Sequence, residues 1–147
     1  TLATIAYRGG KAVRNAPPEF ASFKPAASSR TPLEILSHIG DLFEWARTAV
    51  EGNMKWETAE PRDWDGAVSR FFDTLGRLDA ALASAPMQAP AEKIFQGPIA
   101  DALTHVGQLT MLRRMAGAPI RGENYYVAVI AVGKVGVEQA APRREFD

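Results

Sequence analysis

Residues 98–119 read PIADALTHVGQLTMLRRMAGAP, and they predict the most clearly delimited helix of the chain. Apolar side chains recur every three or four residues along this stretch, from Leu103 to Leu112, as they do on one face of a helix. We expect the helix to begin near Pro98, because proline suits the first helical position, and to finish at Gly117. Helical periodicity of this kind dominates the middle of the chain.

Two further amphipathic helices precede this stretch. Thr31 offers an N-cap hydroxyl, Pro32 occupies the first helical position, and Glu34 supplies the capping-box carboxylate three residues after the cap. The following helix has Asp63 as a plausible cap and Pro86 as a stop. Its apolar stripe is rich in aromatic side chains, which marks it as a core helix.

The first fifteen residues carry a weaker helical pattern. Gly9 and Gly10 interrupt it, and each glycine costs about 1 kcal/mol relative to alanine in a helix interior. We still predict a helix here, followed by a long connection over residues 16–30, which contain three prolines and three serines. Four helices with a long connection after the first predict a four-helix bundle.

The pattern changes after Gly122. Aromatic and β-branched residues are concentrated between Tyr125 and Val132, which favours an extended conformation. No second strand is predicted to pair with this segment, so we expect it to lie along the helices. The sequence therefore predicts a single all-α domain over residues 1–147, with a bundle at about 1–119 and an extended tail at 120–147.

Composition argues against several classes of function. Seventeen basic and seventeen acidic side chains cancel, and no run of like charge attracts phosphate backbones or anionic membranes, so we expect no nucleic-acid partner. The chain has no cysteine, which excludes disulfides, a thiolate metal site and a cysteine nucleophile and fits a cytoplasmic protein. Its uncharged runs are too short to cross a bilayer, so we expect no membrane span.

The only two histidines of the chain are the main candidates for chemistry. Asp101 and His105 are four residues apart and therefore share one face of a helix. His38 flanks the apolar stripe of an earlier helix. Two helices packed side by side would bring two imidazoles and one carboxylate to a common point, and such a set holds a divalent metal while leaving coordination positions open.

The same residues have simpler explanations. His38 could be an imidazole at the edge of the core, bonded to a carbonyl, and Asp101 could be a first-turn carboxylate favoured by the helix dipole. A purely structural bundle would place His38 far from His105. Many helices carry an acid four residues before a histidine, so spacing alone does not choose between these interpretations.

Two segments, Thr31-Pro-Leu-Glu-Ile-Leu-Ser-His-Ile39 and Asp101-Ala-Leu-Thr-His-Val-Gly-Gln-Leu109, together resemble the DinB-like superfamily. This family of small helical bundles includes bacillithiol and mycothiol transferases and maleylpyruvate isomerase. In the family, a histidine on the second helix joins two histidines spaced by four on the last bundle helix, and a Gly-Gln pair often follows. The resemblance covers the three middle helices well and the ends of the chain loosely.

On that match His38 and His105 occupy two ligand positions, and Gly107 and Gln108 form the tail of the motif. Asp101 stands where the family most often has a histidine. Because an aspartate can also ligate, the resemblance implies a metal set of His38, Asp101 and His105. A carboxylate in place of an imidazole lets harder cations compete better for the site. We therefore expect one divalent ion, zinc or nickel first, with manganese or iron as alternatives.

Four other residues are candidates for the walls of a pocket. Trp45 lies two turns after His38 on the same helix face, although burial in the core would explain it as well. Gln108, one turn beyond the second histidine, could orient a ligand or a water, or could be a surface amide. Tyr125 and Tyr126 could close the site from the tail, or could simply pack there.

These features favour a metal-dependent transferase or hydrolase of a small molecule, in which the metal activates a thiol or a water. The resemblance implies a low-molecular-weight thiol as one substrate class, and a homodimer is a further expectation. The alternative is a non-catalytic DinB-like module for binding or dimerisation with a degenerate metal site. The aspartate at position 101 supports that alternative, because it breaks the usual triad.

Overall fold

The structure is a computed structural model that describes residues 1–60, 63–84 and 86–146. Its elements are α1 (Leu2–Val13), α2 (Pro32–Val50), α3 (Trp64–Ser84), α4 (Ala91–Ile94), α5 (Ala100–Met115), β1 (Gly122–Glu123) and β2 (Glu145–Phe146). The chain is mostly helical, which confirms the all-α class. None of the described helices combines the length and apolar character needed to cross a membrane. Asp147, the last residue of the predicted tail, lies outside the described residues.

Local capping signals place the starts of α2 and α3 correctly. Thr31 Oγ1 accepts a hydrogen bond from the Glu34 main-chain N–H at 3.1 Å, and Glu34 Oε2 accepts one from the Thr31 N–H at 2.6 Å. Asp63 Oδ1 accepts from the Gly66 N–H at 2.8 Å, as an N-cap does. Both predicted helix starts are therefore confirmed.

The helix predicted to begin near Pro98 begins earlier. α4 continues into α5 through a π-helical turn, Phe95–Ile99, which contains Pro98. A proline inside a regular helix lacks an N–H donor and its ring clashes with the carbonyl four residues before, and a locally widened turn accommodates both defects. The prediction was wrong because proline is also common at a helix start. Asp101 consequently follows a helical turn, which weakens its interpretation as a simple first-turn carboxylate.

The four long helices enclose an apolar core. α2 packs against α3 and α5, and α1 packs against the same two helices. A Cβ on Gly9 would lie 2.5 Å from Phe71 Cζ, and one on Gly10 would lie 3.3 Å from Phe72 Cζ. The two glycines that weaken the helical pattern of α1 are therefore what allows α1 to approach α3 closely.

The tail is not the extended segment that the sequence predicted. Tyr125–Val127 forms a 3-10 turn, and the chain then returns so that β2 pairs with β1 in antiparallel fashion, Gly122 opposite Phe146. Each strand has only two residues, which is too short for an alternating pattern to reveal it. Neither strand includes the segment from Tyr125 to Val132, which has no strand partner among the described residues, as the sequence predicted.

A buried ionic cluster attaches the tail to α1. The carboxylate of Glu123 accepts hydrogen bonds from the Tyr7 hydroxyl at 2.7 Å, Lys11 Nζ at 2.9 Å and the Arg143 N–H at 3.0 Å. Lys11 Nζ also donates to Glu145 Oε1 at 2.7 Å. Burial alone would raise the pKa of Glu123, but the hydrogen bonds from Lys11 and Tyr7 outweigh it and lower the pKa. We call Tyr7, Lys11, Glu123 and Glu145 the tail clasp.

Candidate metal centre

α2 and α5 bring the three predicted ligands together. His105 Nε2 lies 3.4 Å from Asp101 Oδ1, and His38 Nε2 lies 3.6 Å from Asp101 Oδ2. One ligand atom from each residue lies within 4.8 Å of the other two. The two imidazoles meet edge to face, with ring centroids 4.9 Å apart, so His38 is not remote from His105. We call these three residues the histidine cluster.

The tautomer of His105 is set by its neighbour one turn later. His105 Nδ1 lies 2.7 Å from Gln108 Oε1. An amide oxygen only accepts hydrogen bonds, so the neutral ring carries its proton on Nδ1 and turns the Nε2 lone pair toward Asp101. The residue predicted to orient a ligand therefore orients His105.

Inside the cluster the nitrogen and oxygen atoms are not joined by ordinary hydrogen bonds. The separations of 3.4 and 3.6 Å exceed the usual N–H···O range. The simpler explanation of His38 required a hydrogen bond from its ring to a main-chain carbonyl. Among the described residues, no such bond is present. The cluster thus brings one possible ligand atom from each of its three residues within 4.8 Å of the other two.

The protonation of His38 suits ligation. Burial lowers the pKa of His38, and the nearby His105 and Arg30 lower it further, while Asp101 opposes the shift only in part. The imidazole is therefore neutral near pH 7, which is the form that binds a metal.

The spacing of the cluster fits a metal ion. Two ligand atoms that each lie about 2.1 Å from a tetrahedral ion are about 3.4 Å apart. The two histidine-to-aspartate separations, 3.4 Å to Oδ1 and 3.6 Å to Oδ2, are near that value, and a set of one atom from each residue lies within 4.8 Å. The Asp101 side chain is 47% exposed, against 11% for His105, so the cluster opens to solvent on its carboxylate side. A metal held here would keep coordination positions available to water or substrate.

Trp45 does not reach the cluster directly. Its half-buried ring packs against Trp56 at a centroid distance of 5.6 Å, and Trp56 in turn packs against His38 at 5.7 Å. Trp45 also contributes to a separate cavity of about 370 Å³ beside Gly97 and Pro98. Trp45, which we predicted to line a pocket at the cluster, is therefore separated from His38 by the ring of Trp56.

Sequence reasoning missed Trp56. The connection after α2 is held by a hydrogen bond from the Lys55 N–H to Thr48 Oγ1 at 3.0 Å and by one from the Ala59 N–H to Asp41 Oδ1 at 3.2 Å. Between these two attachments, Trp56 is placed beside His38. The available signal was a tryptophan in an otherwise polar connection, where no apolar pattern accounts for it.

The structure does not bring the two predicted tail tyrosines to the cluster. The Tyr125 ring packs edge to face against Tyr7 at 6.3 Å and lies 4.6 Å from the guanidinium carbon of Arg8. The side chain of Tyr126 is 96% exposed. Within the described part of the chain, neither ring lines a cavity with His38 or His105. Their placement follows from the tail clasp, which holds this segment against α1.

Two cavities flank the histidine cluster. One, of about 310 Å³, lies beside His38 and Trp56. The other, of about 470 Å³, lies beside His105 and Gln108. Arg30, just before α2, borders both. A small molecule that reaches the cluster therefore has room on either side.

The three candidate ligand atoms lie within 4.8 Å of one another, and this proximity is the structural reason to consider a metal site. The resemblance to the DinB-like superfamily remains an inference from two short segments. The sequence matches no protein-family model, no curated protein and no solved structure.

Proposed function

We propose that the chain binds one divalent metal ion through His38, Asp101 and His105 and acts as a metal-dependent transferase or hydrolase of a small molecule. The observation that carries this proposal is the mutual approach of one possible ligand atom from each of the three residues, all within 4.8 Å of one another. Two imidazole nitrogens and one carboxylate oxygen are a ligand set that divalent metal ions accept.

The helix packing supports a four-helix bundle of the DinB-like type. Each of α1, α2, α3 and α5 packs against two of the others, so that they follow one another around the core. In bundles, metal sites are built from side chains on facing helices, as α2 and α5 face each other here. This packing is the part of the DinB-like resemblance that extends beyond the two quoted segments.

A divalent ion held by these residues would act as a Lewis acid and lower the pKa of a thiol or a water toward neutrality. The protein's own contribution is the arrangement of its ligands. Gln108 fixes the His105 tautomer, burial keeps His38 neutral, and the exposed side of Asp101 admits a small molecule. Two imidazoles favour zinc or nickel, while the carboxylate leaves manganese and iron as alternatives.

The flanking cavities fit a small substrate, with the Trp56 ring as a flat wall beside His38. A low-molecular-weight thiol in the cytoplasm is the substrate class that the proposal favours. The protein itself has no cysteine, so the nucleophilic sulfur would come from the substrate.

The test is calorimetric titration of the metal-free protein with zinc and with nickel, together with elemental analysis of the purified protein. We expect one ion per chain. Asp101→Ala should weaken binding at least about tenfold, since one of three ligands is lost, while Asp101→His should retain it. Asp73→Ala, which removes an exposed carboxylate from α3, is the matched control and should leave the affinity unchanged.

Two outcomes would change the conclusion. Undetectable affinity in the parent protein, together with clear binding by Asp101→His, would support the non-catalytic module with a degenerate site. Equal binding by the parent, Asp101→Ala and His105→Ala would reject the histidine cluster as a metal site.

A further inference from the structure

Another cavity lies on a different side of α5 from the histidine cluster. At about 100° per residue, Val106, Gly107 and Thr110 are turned by about 100° to 180° away from Asp101 and His105. These three residues line a cavity of about 270 Å³ that the tail closes from above. Its size is close to the lower end of the range for small-molecule sites, which suits a compact ligand.

Three arginines from three different segments line this cavity: Arg8 of α1, Arg114 of α5 and Arg121 of the tail. The guanidinium carbon of Arg8 lies 4.6 Å from the centroid of the Tyr125 ring, and this cation–π contact holds the Arg8 side chain in position. Arginine is the residue best suited to bind a carboxylate or a phosphate, because its planar donors match both groups.

The neighbouring carboxylates do not cancel this positive charge. Glu123 also lines the cavity, but Oε1 already accepts from Tyr7 and the Arg143 N–H, and Oε2 accepts from Lys11. Glu145 lies 2.7 Å from Lys11 Nζ and 3.9 Å from Arg121. Within the described part of the chain no carboxylate pairs with Arg8 or Arg114, so the arginine side of the cavity keeps its positive charge.

Two aromatic rings complete the walls. Tyr125 contributes one, and Phe146 of β2 contributes the other. A Cβ on Gly122 would lie 2.6 Å from Phe146 Cε2, so the absence of a side chain at Gly122 is what lets the ring lie there. Apolar walls beside cationic groups favour a ligand that has both a flat apolar part and a negative charge.

We propose that this cavity, formed by α1, α5 and the tail, binds a small organic anion whose carboxylate or phosphate group meets the arginines and whose flat apolar part lies between Tyr125 and Phe146. The site is separate from the histidine cluster and does not depend on a metal ion. It exists only while the tail clasp keeps the tail folded against α1, because β1 and β2 supply one of its walls.

The experiment titrates the full chain with phenyl phosphate and with benzoate, and compares these probes with inorganic phosphate, which lacks the ring, and with benzyl alcohol, which lacks the charge. We expect phenyl phosphate or benzoate to bind more tightly than either partial probe. The tighter of the two then identifies the anionic group. Arg114→Gln should weaken the binding of that probe about tenfold, as loss of one charged hydrogen bond does.

Two control variants make the result specific. Arg14→Gln removes another exposed arginine, directly after α1, that does not line the cavity, and it should change the affinity less than twofold. His105→Ala should leave the affinity intact, which excludes binding of the anion to a metal in the histidine cluster. The exposed arginines have no role in the core, and the melting temperature of each variant checks that it is folded.

Three results would overturn the proposal. The first is no binding of phenyl phosphate or benzoate by the parent protein up to about 10 mM. The second is an equal loss of affinity in Arg14→Gln and Arg114→Gln, which would indicate a nonspecific charge effect. The third is loss of binding in His105→Ala, which would move the anion to the histidine cluster without deciding whether that cluster binds metal.

Discussion

The histidine cluster and the tail clasp are both groups of ionisable side chains brought together from distant parts of the chain, yet they are built differently. In the clasp, donors alternate with acceptors, and Lys11 lies 2.9 Å from Glu123 and 2.7 Å from Glu145. In the histidine cluster, the two histidine-to-aspartate separations are 3.4 and 3.6 Å, longer than an ordinary N–H···O hydrogen bond. The clasp pairs its own charges, whereas under our proposal the cluster binds a cation from outside.

Exposure separates the two regions in the same way. The side chains of Lys11 and Glu123 are 9% and 0% exposed, while that of Asp101 is 47% exposed. A buried, fully bonded pair contributes to folding but offers nothing to a ligand. A partly exposed set of free lone pairs contributes little to folding and is available for binding. The comparison therefore separates a cluster that pairs its own charges from a partly exposed set of candidate metal ligands.

Breaking the clasp should have the largest effect on stability. Glu123→Ala leaves the Lys11 ammonium with Glu145 alone and the Tyr7 hydroxyl without its acceptor, and we expect the free energy of unfolding to fall by about 3 kcal/mol. Asp101→Ala in metal-free protein should change it by less than about 0.5 kcal/mol. Urea unfolding followed by circular dichroism measures both. Equal losses in the two variants would remove the distinction between the regions.

Added zinc should stabilise the protein through the histidine cluster and not through the tail clasp. Zinc at about 100 times its dissociation constant should stabilise the parent protein by about 2.7 kcal/mol. We expect His105→Ala to lose this increment and Glu123→Gln to keep it, although Glu123→Gln starts from a lower melting temperature. Scanning calorimetry with and without zinc gives the increments. A zinc effect that disappears in Glu123→Gln but persists in His105→Ala would reverse the assignment.

A smaller effect tests how the cluster is oriented. Gln108→Leu removes the acceptor for His105 Nδ1, so the ring is free to change its tautomer and orientation. We expect zinc affinity to fall about tenfold, as it does when an outer partner of a histidine ligand is lost. Gln88→Leu, at an exposed glutamine of the connection before α4, is the matched control. Equal affinities in the two variants would mean that Gln108 does not position His105.

The smallest effect is expected on the acid side of the stability profile. The pKa of Glu123 is lowered in the folded protein from its ordinary value of 4.5, so the clasp stabilises the fold above that pH. This contribution should be lost as the pH falls below 4.5 and through the lowered value. Melting temperatures measured at several pH values should fall in acid, as Glu123 is protonated, in the parent and in His105→Ala. This contribution to the fall should be absent in Glu123→Gln. An identical acid slope in all three proteins would contradict it.

Local signals explain which parts of the fold could be predicted. The start of α2 depends on Thr31, Pro32 and Glu34, which are neighbours in sequence, so the capping box was visible before the structure. The spacing of Asp101 and His105 likewise survives in any helix that contains both. His38 joined them because the flank of one helix faced the flank of another, which helical periodicity anticipates.

Contacts between distant segments account for what could not be predicted. The tail clasp joins residues 112 positions apart, and no local pattern links Lys11 to Glu123. Trp56 lies beside His38 because two hydrogen bonds hold a connection whose path the sequence does not specify. Tyr125 was interpreted from its apolar surroundings, yet its position depends on that same clasp.

The π-helical turn at Phe95–Ile99 sets the rotational phase of the helix that follows it. In a regular α-helix, residues five positions apart point about 140° away from each other. Ile94 and Ile99 are nonetheless both buried, because the wide turn accommodates one residue more than a regular turn does. Removing one residue from this turn would rotate the face that carries Asp101 and His105 by about 100° relative to α4, and would separate it from His38 without altering any ligand.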